Sequence, residues 1–143
     1  MANTELALDK LFRQELVAEL GKSEAPGMIF TFVWALNEVA DRDYIDELWK
    51  KYTDCISNVC FAELECSQKI RLERNKGETR ISEKPSKADF AWSDSNLKMM
   101  DENYTLNTSV SQPFPYPERL FKIDNSNLQP IEVAEKIKSH FEL

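Results

Sequence analysis

Apolar positions in this chain recur with two different periods, which together predict alternating strands and helices. The longest apolar run covers residues 27–36, directly after Pro26, and shows no polar alternation. It is too short to cross a bilayer, which needs about 20 apolar residues. Its aromatic and β-branched residues favour a strand covered on both faces, and a buried helix is the alternative.

Helical spacing marks three further segments. Residues 3–20 are predicted to form a helix between an Asn3 N-cap and Gly21, with one buried stripe: Leu8, Leu11, Phe12, Leu16 and Leu20. Asp41 is expected to cap a second helix with this apolar face: Tyr44, Ile45, Leu48, Trp49 and Tyr52. Pro130 fits the first turn of a last helix with four inward residues: Val133, Ala134, Ile137 and Phe141.

The middle of the chain predicts two more strands. Residues 59–65 and 120–123 are short apolar or alternating runs, and the second is expected to be parallel. Ser67 is expected to cap a short helix that carries Arg71 and Arg74. The polar residues 75–84 are predicted to form a mobile loop.

Residues 86–89 have the form of a capping box ahead of one or two helical segments over 90–104, with Ser93 as a second possible cap. The three prolines within residues 107–117 make that stretch a connection. Alternating strands and helices imply right-handed βαβ units. We therefore expect a single domain over residues 1–143, a three-layer α/β/α fold with a small, mainly parallel sheet.

Composition restricts the partners and the compartment. The 143 residues carry a net charge of −7, so a nucleic-acid backbone is an unfavourable partner. No secretory leader opens the sequence and no membrane segment is expected, so we predict a cytoplasmic protein. The cysteines are odd in number and lack the C-x-x-C spacing of zinc or redox sites: Cys55, Cys60 and Cys66. We interpret them as reduced thiols, with a regulatory thiol as the alternative. His140 is the single histidine and is expected at the surface, so no metal site is predicted.

Several short stretches, in this order and spacing, resemble the P-loop kinase-like phosphotransferases related to shikimate, chloramphenicol and nucleoside kinases. These stretches are residues 11–16, 27–35, 60–64, 71–75, 84–87 and 123–128, followed by the last helix. The resemblance implies a P-loop NTPase fold, with ATP and Mg²⁺ bound in the intact family and a phosphoryl group moved to a small hydroxylated compound.

The family's phosphate-binding motif G-x-x-x-x-G-K-[ST] has no counterpart here, because Gly21, Gly27 and Gly77 do not fit its spacing. The resemblance therefore starts after the family's first strand. We expect either a fragment or shortened gene product, or a relative that has lost catalysis. In the family that missing strand lies between the strands matching residues 28–36 and 59–65. Those two strands are predicted either to pair directly or to leave a slot that a second chain fills.

The resemblance also implies roles for individual residues. Arg71, Arg74 and Arg80 correspond to a lid over the nucleotide, and a solvated basic face is the alternative. The adenine side corresponds to the turn formed by Asp124, Asn125, Ser126 and Asn127, which is alternatively a plain strand-to-helix turn. Arg13 matches an arginine near the acceptor substrate, with a surface arginine as the alternative. No carboxylate matches the family's magnesium ligand, and Glu38 is a poor replacement.

We therefore expect an ATP-dependent small-molecule phosphotransferase by resemblance. Because the P-loop is missing, we expect this chain to be inactive and to bind neither ATP nor Mg²⁺. The alternative is a non-catalytic interaction or scaffold protein, which would form a homodimer through exposed sheet edges.

Overall fold

The computed structural model describes residues 11–12, 15–16, 18–20, 22–55, 58–77, 80, 82 and 89–143, without the side chains of 51, 52, 54 and 55. The backbone divides into two compact units. One comprises Met1–Trp34 and Glu38–Val59, and the other comprises Ala35–Asn37 and Cys60–Leu143. In the described part, no helix is both long enough and apolar enough to cross a membrane.

The first unit is organised around α1 (Val39–Cys55). Ile45 and Leu48 are buried, as their helical spacing predicts, and the ring of Tyr44 lies 5.4 Å from that of Phe32. Tyr52 belongs to the same predicted face, but its side chain lies outside the described residues. The predicted cap at Asp41 is wrong, because the helix begins at Val39 and Asp41 lies in its first turn.

The predicted strand over residues 28–36 is wrong. Residues 24–35 run without helix, turn or bend, but belong to no strand. Exposure alternates along them: Ile29 is 95% exposed and Val33 is 67% exposed, whereas Phe30 and Phe32 are half-buried. A strand needs a neighbour to bond with, and the described sheet has two strands, neither of them here. The direct pairing of 28–36 with 59–65 is therefore wrong as well.

The predicted stripe in the first helix also needs correction. Residues 11, 12, 15, 16 and 18–20 are helical, but Leu11, Phe12 and Leu16 are 55%, 68% and 42% exposed. Helical periodicity identifies an apolar face correctly without showing that another element covers it. Asn3, Leu8, Arg13 and Gly21 lie outside the described residues.

The second unit contains two parallel strands, β1 (Phe61–Glu65) and β2 (Leu120–Asp124), with Phe61 opposite Leu120 and Glu65 opposite Asp124. The helices are α2 (Gln68–Asn75), α3 (Phe90–Asn103) and α4 (Pro130–Phe141), and the 3₁₀ turn Pro117–Arg119 leads into β2. Its apolar core includes Ala35, Leu36, Ile123 and Val133. The predicted α/β class and the parallel orientation of the last strand are thus confirmed.

Local caps define three helix starts. Ser67 accepts a hydrogen bond from the Ile70 N–H at the start of α2, as predicted. Asp89 accepts one from the Trp92 N–H at 2.9 Å and caps α3. Gln129 forms a capping box with Glu132, ahead of the predicted Pro130.

Four smaller predictions fail in this unit. Ser93 is no cap, since it is buried inside α3. Ala134 was predicted to face inward, but it is exposed on α4. Arg80 and Ser82 are helical instead of lying in a loop, although α2 does end at Asn75. Residues 86–88 of the expected capping box lie outside the described part, but Asp89 is the extended N-cap of α3 and not the third helical residue of such a box.

Candidate functional site

The carboxyl ends of β1 and β2 meet at one edge of the second unit. The N–H of Asn125, just past β2, donates to the C=O of Glu65 at 2.9 Å and extends the strand pairing by one residue. Ser67 opens α2 after β1, and the turn at 126–127 leads towards α4 after β2. In parallel α/β sheets, ligands bind beyond this end of the strands. This edge is therefore the candidate site.

Arg74 joins α2 to the turn after β2. Its Nη2 donates to the backbone C=O of Asn125 at 2.7 Å and to that of Ser126 at 3.1 Å. Its Nη1 donates to the Asn125 Oδ1 at 3.0 Å and, more weakly, to the Cys66 Sγ at 3.8 Å. A guanidinium presents several donors in one plane, which suits such a set of acceptors. One predicted lid arginine thus lies against the predicted adenine-side turn.

The turn itself is held by Asp124. Its Oδ1 accepts the Ser126 N–H at 2.8 Å, an arrangement typical of Asp at turns. Hydrogen bonds from the side chain and backbone of Ser126 lower the pKa of Asp124, and the positive charge of Arg74 acts in the same direction. The Asp124 carboxylate is therefore ionised at neutral pH and committed to the turn.

The other predicted lid arginines are placed differently. Arg71 is half-buried and donates to Asp101 on α3 through Nη1 at 2.9 Å and Nη2 at 2.6 Å. Arg80 is half-buried, and no contact between described residues joins it to Arg71, Arg74 or the turn. Of the three arginines, Arg74 therefore lies at the site. Arg71 instead holds α2 on α3. Arg80 makes no contact with the site among the described residues. Arg13 lies outside the described residues.

A shallow pocket of about 390 Å³ lies beside the turn. Its lining combines an apolar floor with polar side chains: Phe121, Ile123, Leu128, Asp124, Asn127 and Lys136. Phe121, Ile123 and Lys136 are not among the site residues that the sequence predicted. Strand alternation could have placed Phe121 on the same face as Ile123, but Lys136 comes from α4 and only the folded chain brings it here.

The opposite face of the sheet carries an ionic cluster. Lys122 Nζ lies 3.3 Å from Glu63 Oε1 and 2.9 Å from Glu65 Oε1. Glu63 also accepts hydrogen bonds from Asn107 Nδ2 at 2.9 Å, Thr108 N–H at 2.9 Å and Thr108 Oγ1 at 2.7 Å. Its carboxylate is therefore saturated with donors, and it anchors the connection that precedes β2. We therefore interpret this ionic cluster as one that stabilises the fold, and not as part of the candidate site.

The pKa values of this cluster follow from its contacts. Burial alone would raise the pKa of Glu63, but the hydrogen bonds from Asn107, Thr108 and Lys122 outweigh burial and lower it. The hydrogen bond to Glu65 and the interaction with Glu63 raise the pKa of Lys122. Both partners are charged at neutral pH.

Among the described residues, no group of three or more His, Cys, Asp or Glu side chains is arranged to hold a metal ion. Comparisons of the chain with family models, with curated proteins and with solved structures returned no match.

Proposed function

We propose that this chain is a phosphotransferase-type α/β domain whose described residues supply the nucleoside side of an ATP site. One observation supports this proposal above the others: Arg74 donates to Asn125 and Ser126, so a lid-type arginine contacts the turn that the family resemblance assigns to the adenine. The two features lie about fifty positions apart in the sequence, and folding brings them to the carboxyl edge of the sheet.

The turn and its pocket offer the groups that a purine base requires. A base needs a flat apolar contact and a few fixed polar groups at its edge. Leu128 and Phe121 provide apolar surface, and the Arg74 and Asp124 contacts hold the turn in one conformation. A rigid turn loses less entropy on binding, and so more of the interaction energy appears as affinity.

The described residues do not supply the phosphate side. No glycine-rich loop with a following lysine is present in the sequence. The resemblance implies a Mg²⁺ ion. Among the described residues, no group of three or more His, Cys, Asp or Glu side chains is arranged to hold it, so the proposal assigns no residue to this ion. The proposal is therefore that this chain binds the nucleoside part of ATP and does not transfer the phosphoryl group by itself.

Calorimetric titration with adenosine, ATP and Mg–ATP tests the proposal. At roughly 0.3 kcal/mol per heavy atom, adenosine is expected to bind with a Kd on the order of 0.1 mM. ATP is expected to bind similarly, with less than a threefold effect of Mg²⁺. Arg74→Ala should weaken adenosine binding at least fivefold, whereas Arg42→Ala, an exposed arginine on α1, should leave it unchanged.

Two results would overturn the proposal. If neither adenosine nor ATP bound to the folded protein, the nucleoside site would be refuted. If ATP bound at least tenfold more tightly with Mg²⁺ and a phosphoryl group were transferred to a small alcohol, the inactivity would be refuted instead.

A second candidate function is that of a non-catalytic interaction protein. It is favoured by the edge of β1 that faces away from β2. There, the backbone groups of Ala62 and the N–H of Leu64 have no partner among the described residues. An unpaired strand edge is a template for pairing with another chain.

A further inference from the structure

The orientation of β1 identifies which of its backbone groups are unpaired. Glu65 accepts the Asn125 N–H, so Glu65 and Glu63 direct their backbone groups towards β2. Ala62 and Leu64 direct theirs to the opposite edge, because successive residues of a strand alternate. On that edge the Leu64 C=O accepts the Asn107 Nδ2 at 3.3 Å. The other three groups of Ala62 and Leu64 have no described partner.

The two outer edges of the sheet differ in their protection. On β2, the residues whose backbone groups point outward include Lys122 and Asp124, and charged side chains discourage pairing at an edge. On β1, the corresponding residues are the uncharged Ala62 and Leu64, and Leu64 is 50% exposed. The edge of β1 is therefore the one open to a further strand.

The same chain contains a segment with complementary properties. Residues 28–33 run without helix, turn or bend, carry no charge and belong to no strand. Ile29 and Val33 are 95% and 67% exposed, and Thr31 between them is exposed too. In an unbent segment, the backbone groups of these three residues share one edge. No described residue bonds to them. Their β-branched side chains favour a strand.

We propose that residues 28–33 of one copy of this chain add as a third strand to the open edge of β1 in a second copy, and that the exchange is reciprocal. The inference deepens the second candidate function and rests on it. The added strand would bond to the free groups of Ala62 and Leu64. A two-fold exchange satisfies both copies and closes the assembly at a dimer.

Charge favours this occupant over a pairing of β1 with β1 of the second copy. Antiparallel pairing centred on Glu63 would place Glu63 opposite its own equivalent, and like charges directly opposite are unfavourable. In each copy, one Lys122 already forms ion pairs with two carboxylates, Glu63 and Glu65. Each copy would therefore bring a net negative charge to such an interface. Residues 28–33 bring no charge to the interface.

Sedimentation velocity of the full chain under reducing conditions, over about a hundredfold range of concentration, measures the association. Wild type is expected to form dimers. Leu64→Pro removes an N–H from the open edge without removing a bond to β2, and should weaken dimerisation at least tenfold. The double variant Ile29→Lys and Val33→Lys should do the same. Ile131→Lys changes an isoleucine on α4 that is 65% exposed and is the matched control, which should still dimerise.

Mixing the two deficient variants gives the sharpest test. Leu64→Pro keeps an intact donor segment, and the double lysine variant keeps an intact β1 edge, so the mixture should form heterodimers through one strand exchange. Pairing of β1 with β1 would not be restored by mixing. Hydrogen exchange at the Leu64 amide provides a second readout that needs no variant, because protection should increase with concentration.

The proposal is overturned if wild type stays monomeric, if the double lysine variant dimerises like wild type, or if two folded deficient variants fail to associate. It is also overturned if the Leu64 amide is protected in the monomer, which would mean that the same chain covers the edge. None of these measurements involves nucleotide, so their failure is distinct from failure of the adenosine titration.

Discussion

Arg71 donates two hydrogen bonds to the carboxylate of Asp101, from Nη1 to Oδ1 at 2.9 Å and from Nη2 to Oδ2 at 2.6 Å. Gln68 Nε2 donates to the same carboxylate at 2.8 Å. One turn further along α2, the buried Asn75 donates to Asp94 on α3 at 3.3 Å. A row of polar contacts therefore holds α2 on α3, and this fixes the direction from which Arg74 approaches the turn.

The first prediction concerns this pair. Asp101→Asn should lower the free energy of unfolding by about 1–2 kcal/mol. Hydrogen bonds to charged groups can contribute more than this, but the pair is partly exposed to solvent, which weakens it. Arg71→Lys should lose nearly as much, because an ammonium cannot form the two parallel bonds. Urea unfolding measures both effects. Lys98→Ala, at an exposed position of α3, is the control, and a similar loss there would contradict the prediction.

The cap of α3 leads to a second prediction. Asp89→Ala removes the acceptor of the Trp92 N–H and should lower the free energy of unfolding by about 1 kcal/mol. Asp89→Asn keeps an acceptor at the same place and should stay within about 0.3 kcal/mol of wild type. Thermal unfolding compares the three proteins. Equal losses in both variants would show that charge, and not capping, is the important property.

A third prediction follows from the lowered pKa of Glu63. Folding favours its carboxylate, so the contribution to stability is fully present above the ordinary pKa of 4.5 and is lost as the pH falls through the lower folded-state pKa. The free energy of unfolding should therefore fall more steeply from about pH 5 to about pH 3 in wild type than in Glu63→Gln. Urea unfolding at a series of pH values measures this slope. Parallel curves would contradict the assignment, and Glu135→Gln on α4 should follow wild type.

A fourth prediction compares two apolar residues that lie opposite each other in the sheet. Ile123 is 8% exposed and Leu64 is 50% exposed. Ile123→Ala should cost about 2–5 kcal/mol of unfolding free energy, because it removes buried methylene groups and leaves a cavity. Leu64→Ala should cost less than about 1 kcal/mol at a concentration where the chain is monomeric. Equal costs in urea unfolding would show that Leu64 is covered in the monomer.

Local signals predicted much of the second unit. Ser67 was predicted as a cap and Pro130 as a first-turn residue, because both signals depend on neighbours a few positions away. The capping box of Gln129 with Glu132, on either side of Pro130, was not predicted. Strands β1 and β2 were predicted from short apolar runs, with ends wrong by one or two residues.

Predictions that depend on distant partners failed. Residues 28–36 have the composition of a central strand, but composition does not show whether a neighbouring strand is present to bond with. Leu11 and Phe12 likewise lie on an apolar stripe that stays exposed. At the candidate site, Arg74 and the turn were named from the family resemblance, and the contact between them depends on the fold. The pairing of Arg71 with Asp101 joins residues thirty positions apart, and nothing local in the sequence indicates it.

The pairing of Phe61 with Leu120 has a consequence for synthesis of the chain. Almost sixty residues must be translated after β1 before its partner strand exists, which at ribosomal rates takes roughly 3–12 s. During that interval both edges of the nascent β1 lack a strand, in the crowded surroundings of a polysome. Yield in a cell-free translation system should therefore depend on temperature and on added chaperones more than the modest size of the protein suggests.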